Sequence, residues 1–424
     1  MRKRLSAEGL LLCAVLPLAA QTGIEPHGSL ETVHAVPFSK DRGLTDSRSI
    51  FTGEINVFAG EAAAFVSFAA EYNGVSPGRS GFSLGEAWAG WSAAGFSLRL
   101  GRQLLSWGVA DGLILTDVVC PQNFSAYAGL DFAGSRLAVD GFRLRYSFPV
   151  LALEAVWLPL FTPARLPEDT QNPLYRIFYP SSVNAGGIIL PVSIADPTLP
   201  RDIADGEYGF RLSAYTPALD FSLLAFYGWN DIPYMGKALT QTGIQVTPEY
   251  GRTITAGGDA SIPLGEILLR LEAAWTGGGR YDRPSPDTAA ALLAGKKDRP
   301  LEKHRLQALA GIDYNPAGWT LSAQYYEDLL PDANGETGRP WRKNALTLRA
   351  SRWLFRETLN LSAWCYLDLA DFDTAGSVSA AYSLTDALNL SLGIDFFTGG
   401  IDGRGSYAAY QDLSAVWVKG IFRF

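Results

Sequence analysis

Charge is scarce in this sequence. Only 18% of its residues are Asp, Glu, Lys or Arg, against about 25% in a typical soluble domain. Sulfur and imidazole are scarcer still, with 3 Cys, 2 Met and 3 His in 424 residues. The histidines are His27, His34 and His304, and no H-x-x-H or C-x-x-C spacing occurs, so the residues support neither a metal site nor a bound cofactor. No run of about 20 apolar residues follows the N-terminus, which excludes a helical membrane protein. The net charge of −8 argues against a nucleic-acid partner. What is abundant is apolar (47%) and aromatic (12%) side chains, with 44 Gly. Low charge and high aromatic content without long apolar runs fit a β-barrel, in which lipid-facing and lumen-facing residues alternate.

Arg2, Lys3 and Arg4 precede an apolar stretch from Leu10 to Leu18, and Leu18-Ala19-Ala20 ends in small residues before Gln21. This is the pattern of a secretory signal peptide over residues 1–20. A lipoprotein reading at Cys13 is rejected, because the preceding Leu12 is large. Removing the segment takes Arg2, Lys3, Arg4 and Glu8 with it, so the mature chain is more acidic still. Cys120 and Cys365 remain, and their spacing leaves open whether they pair.

Period two dominates the rest of the chain. Leu388, Leu390, Leu392, Ile394 and Phe396 alternate with Asn389, Ser391, Gly393 and Asp395. Tyr208, Phe210 and Leu212 alternate with Glu207, Arg211 and Ser213, and Leu269, Leu271 and Trp275 with Arg270, Glu272 and Thr276. Each such segment has about 9–12 residues, enough to cross a bilayer when tilted. Short connections at Ala93–Gly95, Pro149, Thr216–Ala218, Pro263–Gly265, Asn315–Gly318, Leu354–Arg356 and Leu384–Asp386 alternate with long ones. The long ones are Leu104–Ser135, Pro159–Asp205, Asn230–Tyr250, Gly277–Lys303, Asp328–Arg342 and Thr398–Ala409. Counted back from the C-terminus, every long connection falls on one side. An all-β, antiparallel up-and-down transmembrane barrel is predicted, one domain over residues 21–424. Phe51 to Phe424 divides into about 17 segments, and a first strand near Ser29–Phe38 gives about 18, with about 16 as the alternative even number.

The last segment, Val416 to Phe424, alternates and ends on an aromatic residue. It resembles the assembly signal of bacterial outer-membrane barrels, which implies that Phe422 and Phe424 are read by the barrel-assembly machinery. Arg99-Leu100-Gly101-Arg102-Gln103 leads through Trp107-Gly108 to Asp111, Asp117 and Pro121. This stretch resembles that of a family of porin-like outer-membrane barrels long known only as a domain of unknown function and akin to alginate-export-type porins. Glu207–Arg211, Trp229–Pro233 and the Leu384–Asp386 turn match it too, while Cys120-Pro121-Gln122 departs from the usual Asn-Pro-Asp. The resemblance implies an outer-membrane location, membrane lipids as surroundings and small-molecule solutes as cargo.

Candidate pore residues follow from the lumen phase of the strands. They are Arg99, Arg102, Asp111, Asp117, Arg143, Arg145, Arg211, Arg270, Glu272, Arg305 and Arg349. Lys419 and Arg423 share that phase, as do the acids Glu207, Asp313, Asp368 and Asp395. Arg99 and Arg102 differ in parity, and a bulge near Gly101 is expected to turn both inward, towards Asp111 and Asp117. Two roles stay open for that group: a constriction of opposed charges, or a salt-bridged fold-back loop. Leu224 and Phe226 are expected in the lumen, against loop or solute. The Pro-rich connection 159–205 is expected to fold into or over the barrel mouth. Trp88, Trp91, Trp157, Trp275, Trp319 and Trp353 are assigned to interfacial girdles. Trp107 and Trp341 are left as candidates for solute contact. Gly81-Phe82-Ser83-Leu84-Gly85 spells G-x-S-x-G, but it opens a strand rather than a strand-to-helix turn, so no enzyme is expected. The expected function is passive or selective diffusion of small solutes. The alternatives are passage of a polymer or hydrophobic molecule, and a barrel that serves as a platform for adhesive loops.

Overall fold

The computed structural model describes residues 22–39, 43–110, 112–125, 135–185, 188–333, 335–401, 403 and 405–424. The signal-peptide segment lies outside them. The first strands are β1 (Thr22–Pro37), β2 (Asp46–Ala59), β3 (Ala62–Asn73), β4 (Gly81–Ala93), β5 (Phe96–Gln103), β6 (Val139–Ser147) and β7 (Leu151–Leu158). The connection after β7 holds the short helix α1 (Tyr175–Phe178) and strands β8 (Ser182–Ala185) and β9 (Ile188–Ile194). Then come β10 (Glu207–Tyr215), β11 (Asp220–Trp229), β12 (Tyr234–Thr240), β13 (Gly243–Glu249), β14 (Arg252–Leu264) and β15 (Ile267–Tyr281). After α2 (Ser285–Leu293) follow β16 (Leu301–Tyr314), β17 (Trp319–Leu329), β18 (Arg342–Leu354), β19 (Leu359–Asp368), β20 (Thr374–Ser383), β21 (Leu388–Thr398) and β22 (Ala415–Arg423).

Eighteen of these strands pair antiparallel in one closed sheet, in chain order with β8, β9, β12 and β13 left out. Closure is between β1 and β22, from Ser29 opposite Arg423 to Pro37 opposite Ala415. The weak sequence signal of β1 has a simple cause. Pro37 stands at the strand's last position, where a missing N–H costs little. The strands reach one end of the barrel through tight turns. Ala94 (φ 49°) with Gly95 (φ 85°), and Ala317 (φ 41°) with Gly318 (φ 82°), supply the left-handed residues that reverse the chain. The long connections all emerge at the other end. Among the described residues no helix is long and apolar enough to cross a membrane.

The four remaining strands form a second sheet that the sequence reading does not anticipate. β12 and β13 are a hairpin, β8 and β9 another, and β13 joins β9 in parallel through Ile244 opposite Val192. Two long connections are thereby stitched together. α2 lies beside them, with Tyr234 Oη donating to Asp298 at 2.8 Å and Lys237 Nζ 2.7 Å from Asp282.

Side chains alternate as the pleat requires. Outward positions carry Phe210, Leu223, Leu271, Ile312, Leu348 and Leu392, all well exposed. Inward positions carry Glu154, Asp259, Glu272, Asp313, Gln324 and Asp395, all buried. Polar groups buried inside a barrel must find partners, and those partners define the site.

Candidate functional site

The connection that leaves β5 turns into the barrel and lies along one wall. Leu105, Trp107, Val119 and Cys120 form a core with Val139, Val156, Leu158, Leu224 and Phe226. Leu224 and Phe226 do point inward, and what they meet is this loop: the Trp107 ring stands edge-on to Phe226 at 6.3 Å between centroids. Trp107, a sequence candidate for solute contact, is 1% exposed and belongs to the loop's own core. Gly209 opposite it is obligatory, since a Cβ there would stand 2.5 Å from the indole.

Buried carboxylates on the wall fasten the loop. Glu272 of β15 is 3% exposed. Its Oε2 accepts the backbone N–H groups of Val109 (3.2 Å) and Ala110 (2.9 Å). Its Oε1 accepts the backbone N–H and the Oγ1–H of Thr116, each at 2.7 Å. Arg270, two residues earlier on the same face, donates to Val109 O at 3.0 Å and pairs with Asp313. Glu154 of β7 accepts the Trp107 indole N–H at 2.7 Å and the Arg143 Nε–H at 2.8 Å. Gln307 of β16 reaches Ile114 O at 3.4 Å, and Glu86 of β4 accepts Leu104 N–H at 2.8 Å. Within the loop, Asp117 accepts Trp107 N–H at 3.0 Å and pairs with Arg136. The loop is thus held by charge-assisted hydrogen bonds, each roughly twice as strong as a neutral one.

The sequence candidates divide accordingly. Arg143, Arg211, Arg270 and Arg305 face the lumen and are paired, with Glu154, Asp259, Asp313 and Asp328 respectively. Arg145 lies on the same face nearer the short-turn end, 3.4 Å from Tyr215 Oη. Arg349 faces inward and is exposed. Arg99 also faces inward, its guanidinium 4.1 Å from the centre of the Trp88 ring, which in turn lies 5.9 Å from Phe65. Trp88 therefore lines the lumen and is not part of a girdle.

Arg102 is a correction. β4, β5 and β6 pair through Arg102 with no register shift. The expected bulge at Gly101 is absent from this stretch. Strict alternation puts Arg102 on the outward face, where it forms a two-pronged ion pair with Asp140 at 3.1 and 2.7 Å. Asp117 accordingly meets Arg136 rather than Arg99 or Arg102. Asp111 lies outside the described residues.

Sequence reading passes over Glu154, Glu86, Asp259 and Asp328. Parity holds the missing signal for Glu154. In Leu151–Leu158 the acid shares a face with Ala152, Val156 and Leu158, an apolar inward row that tolerates a carboxylate only if donors converge on it.

The connection 159–205 crosses to distant parts of the rim. Leu174, Ile177 and Phe178 pack with Ala375, Phe397 and Leu413. Asn172 Nδ2 donates to Ser125 O at 2.8 Å, and Asp169 accepts from Ser76 Oγ at 2.7 Å and Gly78 N at 2.9 Å. Hydrogen bonds from Gln171 N–H and Ser76 hold the Asp169 carboxyl below the usual carboxylate range, so this tether outlasts that range and is lost only as pH falls below it.

Cys120 and Cys365 are free thiols. Cys120 is buried in the loop core, and burial pushes its thiol up to about 12. Cys365 sits on the outward face of β19, opposite Leu348 and Gly376. In folded protein at pH 8, maleimide is expected to leave Cys120 unlabelled over hours, because the thiolate is the reactive species. Labelling should appear on denaturation. Prompt labelling of native Cys120, read by mass spectrometry, would contradict the docked loop.

Solved structures share this architecture from end to end. Pseudomonas aeruginosa OccK8 (OprE) aligns over 95% of this chain and 97% of its own, with a TM-score of 0.53 and 10% identity. P. aeruginosa OccK5 (OpdH) aligns over 95% and 97%, at 0.52 and 11%. P. aeruginosa OpdL aligns over 95% and 98%, at 0.51 and 14%. At such identities the likeness is one of fold. No protein-family model and no curated protein matches the chain in sequence.

Proposed function

We propose that this chain is an outer-membrane porin-like channel through which small solutes diffuse passively. The carrying observation is a closed 18-stranded barrel whose lumen is narrowed by a loop pinned to the wall at Glu272. The fold shared with outer-membrane porins such as OccK8 supports it. In this reading residues 1–20 direct export, and the aromatic C-terminus at Phe422 and Phe424 engages the assembly machinery. The outward apolar face meets lipid, and the connection 159–205 partly covers the mouth. The Arg99-to-Asp117 stretch supports a finer kinship with alginate-export-type porins. Selectivity comes from width and lumen charge. Ion pairs neutralise much of the wall, which leaves Arg99, stacked on Trp88, among the groups that present charge to a passing solute.

Purified protein in planar bilayers is expected to give stepwise conductance. Arg99→Ala should move the reversal potential in a salt gradient towards cations, by about 5–10 mV, as one fixed positive charge leaves the lumen. A silent bilayer after confirmed insertion would remove the channel reading. An unchanged reversal potential would leave Arg99 a packing role beside Trp88. Ligand capture by the long loops without conductance would put a surface-binding barrel in its place.

A further inference from the structure

The outward face of the wall is apolar on most strands; the Arg102–Asp140 pair interrupts it on β5 and β6, and a second, uncharged polar cluster interrupts it on β1 and β2. On these two strands Thr32, His34, Ser47 and Ser49 face outward together. Thr32 Oγ1 lies 3.2 Å from Ser49 Oγ and 3.3 Å from His34 Nε2, and His34 Nδ1 lies 3.1 Å from Ser47 Oγ. The imidazole is exposed. This cluster is not a polar rim. Leu30 (48% exposed) and Phe51 (38%) flank it towards the short-turn end, and Val36 and Phe38 (57% each) flank it towards the long-loop end. From Leu30 to His34 the strand climbs roughly 10 Å, within an apolar band about 25 Å tall. The cluster therefore lies inside that band.

Hydroxyls and an imidazole at that depth have no water to bond. Each hydroxyl offers one donor and two acceptor sites, so Ser47 and Ser49, with one side-chain bond each, keep unused capacity. The adjoining surface is low on the β22 side, while on the β3 side Tyr72, 70% exposed, stands opposite Ser49. Gly420 of β22 stands opposite Thr32, and only Leu390 and Thr32 come within ordinary contact of a Cβ placed there. Lipid headgroup phosphates belong to the edges of the band, not to its interior.

We propose that this patch is the contact between two copies of the chain. Two barrels inserted in the same direction meet across a two-fold axis normal to the membrane, and such an axis brings a surface against itself. Thr32, His34, Ser47 and Ser49 carry donors and acceptors in one cluster, so the patch complements its own copy. Acyl chains offer it neither. The proposal rests on the membrane placement given above, but not on conduction.

Two measurements test it. Wild-type protein in mild detergent and in lipid nanodiscs is expected to sediment as a dimer at micromolar concentration. The double variant Thr32→Val, His34→Leu should sediment as a monomer while retaining barrel circular dichroism and conductance, since it only extends the apolar face. Ser49→Cys in a Cys365→Ser background should form a disulfide-linked dimer on oxidation. Val378→Cys in the same background, on the outward face of β20, should not. Three results each overturn the proposal: a wild type that sediments as a monomer, a dimer that persists in the double variant, or cross-linking of Ser49→Cys no greater than that of Val378→Cys. Insertion into vesicles is scored separately. Protein that inserts and conducts but stays monomeric removes this inference alone, whereas protein that does not insert removes the membrane reading with it.

Discussion

Single-channel conductance of Glu272→Ala is expected to exceed that of the wild type by about twofold or more, with frequent flicker between levels. One carboxylate accepts four hydrogen bonds from Val109, Ala110 and Thr116, donors that no strand ladder serves. Truncating a buried charged acceptor leaves those donors unpaired, at a cost of about 3–5 kcal/mol. The barrel does not bear that cost, because its closure is made by backbone ladders from β1 to β22. The loop bears it. Among the described residues between Val109 and Thr116, its other polar ties to the wall are single bonds from Arg270 and Gln307 to carbonyl oxygens, while Leu115, with Ala110 and Leu113, packs against Ala274, Leu309, Tyr326 and Ala345. Glu272→Gln sharpens the test. Its amide keeps one acceptor oxygen and turns the other position into a donor, facing either Val109 and Ala110 or Thr116. Its conductance should fall between wild type and alanine. Equal conductance in all three proteins would mean that the loop holds its place without Glu272.

This anchor also marks what the sequence can and cannot reveal. The strands are legible because a barrel wall writes its two faces at period two. The turns are legible because tight reversals call for Gly and Pro. Closure at 18 follows once Ser29–Pro37 is accepted as a strand. The inward loop is harder. Its anchor at Glu272 joins residues more than 150 positions apart, as Ala110 and Glu272 are, and no local pattern encodes such a pairing. Parity finds Glu272 as a lumen acid, but its partners are mostly backbone N–H groups, which carry no sequence signature. Arg102 fails for the opposite reason. Parity places it outward, and the expected bulge would overrule parity where the ladder in fact runs unbroken. The sheet of β8, β9, β12 and β13 escapes notice because each strand is short and its Pro residues, Pro191 and Pro248, read as loop.

Trp107→Ala is expected to loosen the same loop from its other end, by a different force. The indole is 1% exposed and packs among Val156, Leu224 and Phe226, while its N–H meets Glu154. Truncating a buried Trp to Ala typically costs about 3–5 kcal/mol through lost burial and the cavity left behind. Part of that cost is the hydrogen bond to Glu154, which keeps Arg143 as its partner and so is not stranded. Trp107→Phe separates the two contributions: it retains most of the apolar contact and loses only the indole N–H. Hydrogen exchange at the amides of residues 105–120 should therefore speed up strongly in Trp107→Ala and modestly in Trp107→Phe. The amides of β7 and β11 should keep wild-type protection in both. Maleimide labelling of native Cys120 should rise in the same order, since the thiol shares the core that the indole fills. If the loop amides stay protected in Trp107→Ala, the aromatic core is dispensable and the carboxylate anchors alone hold the constriction.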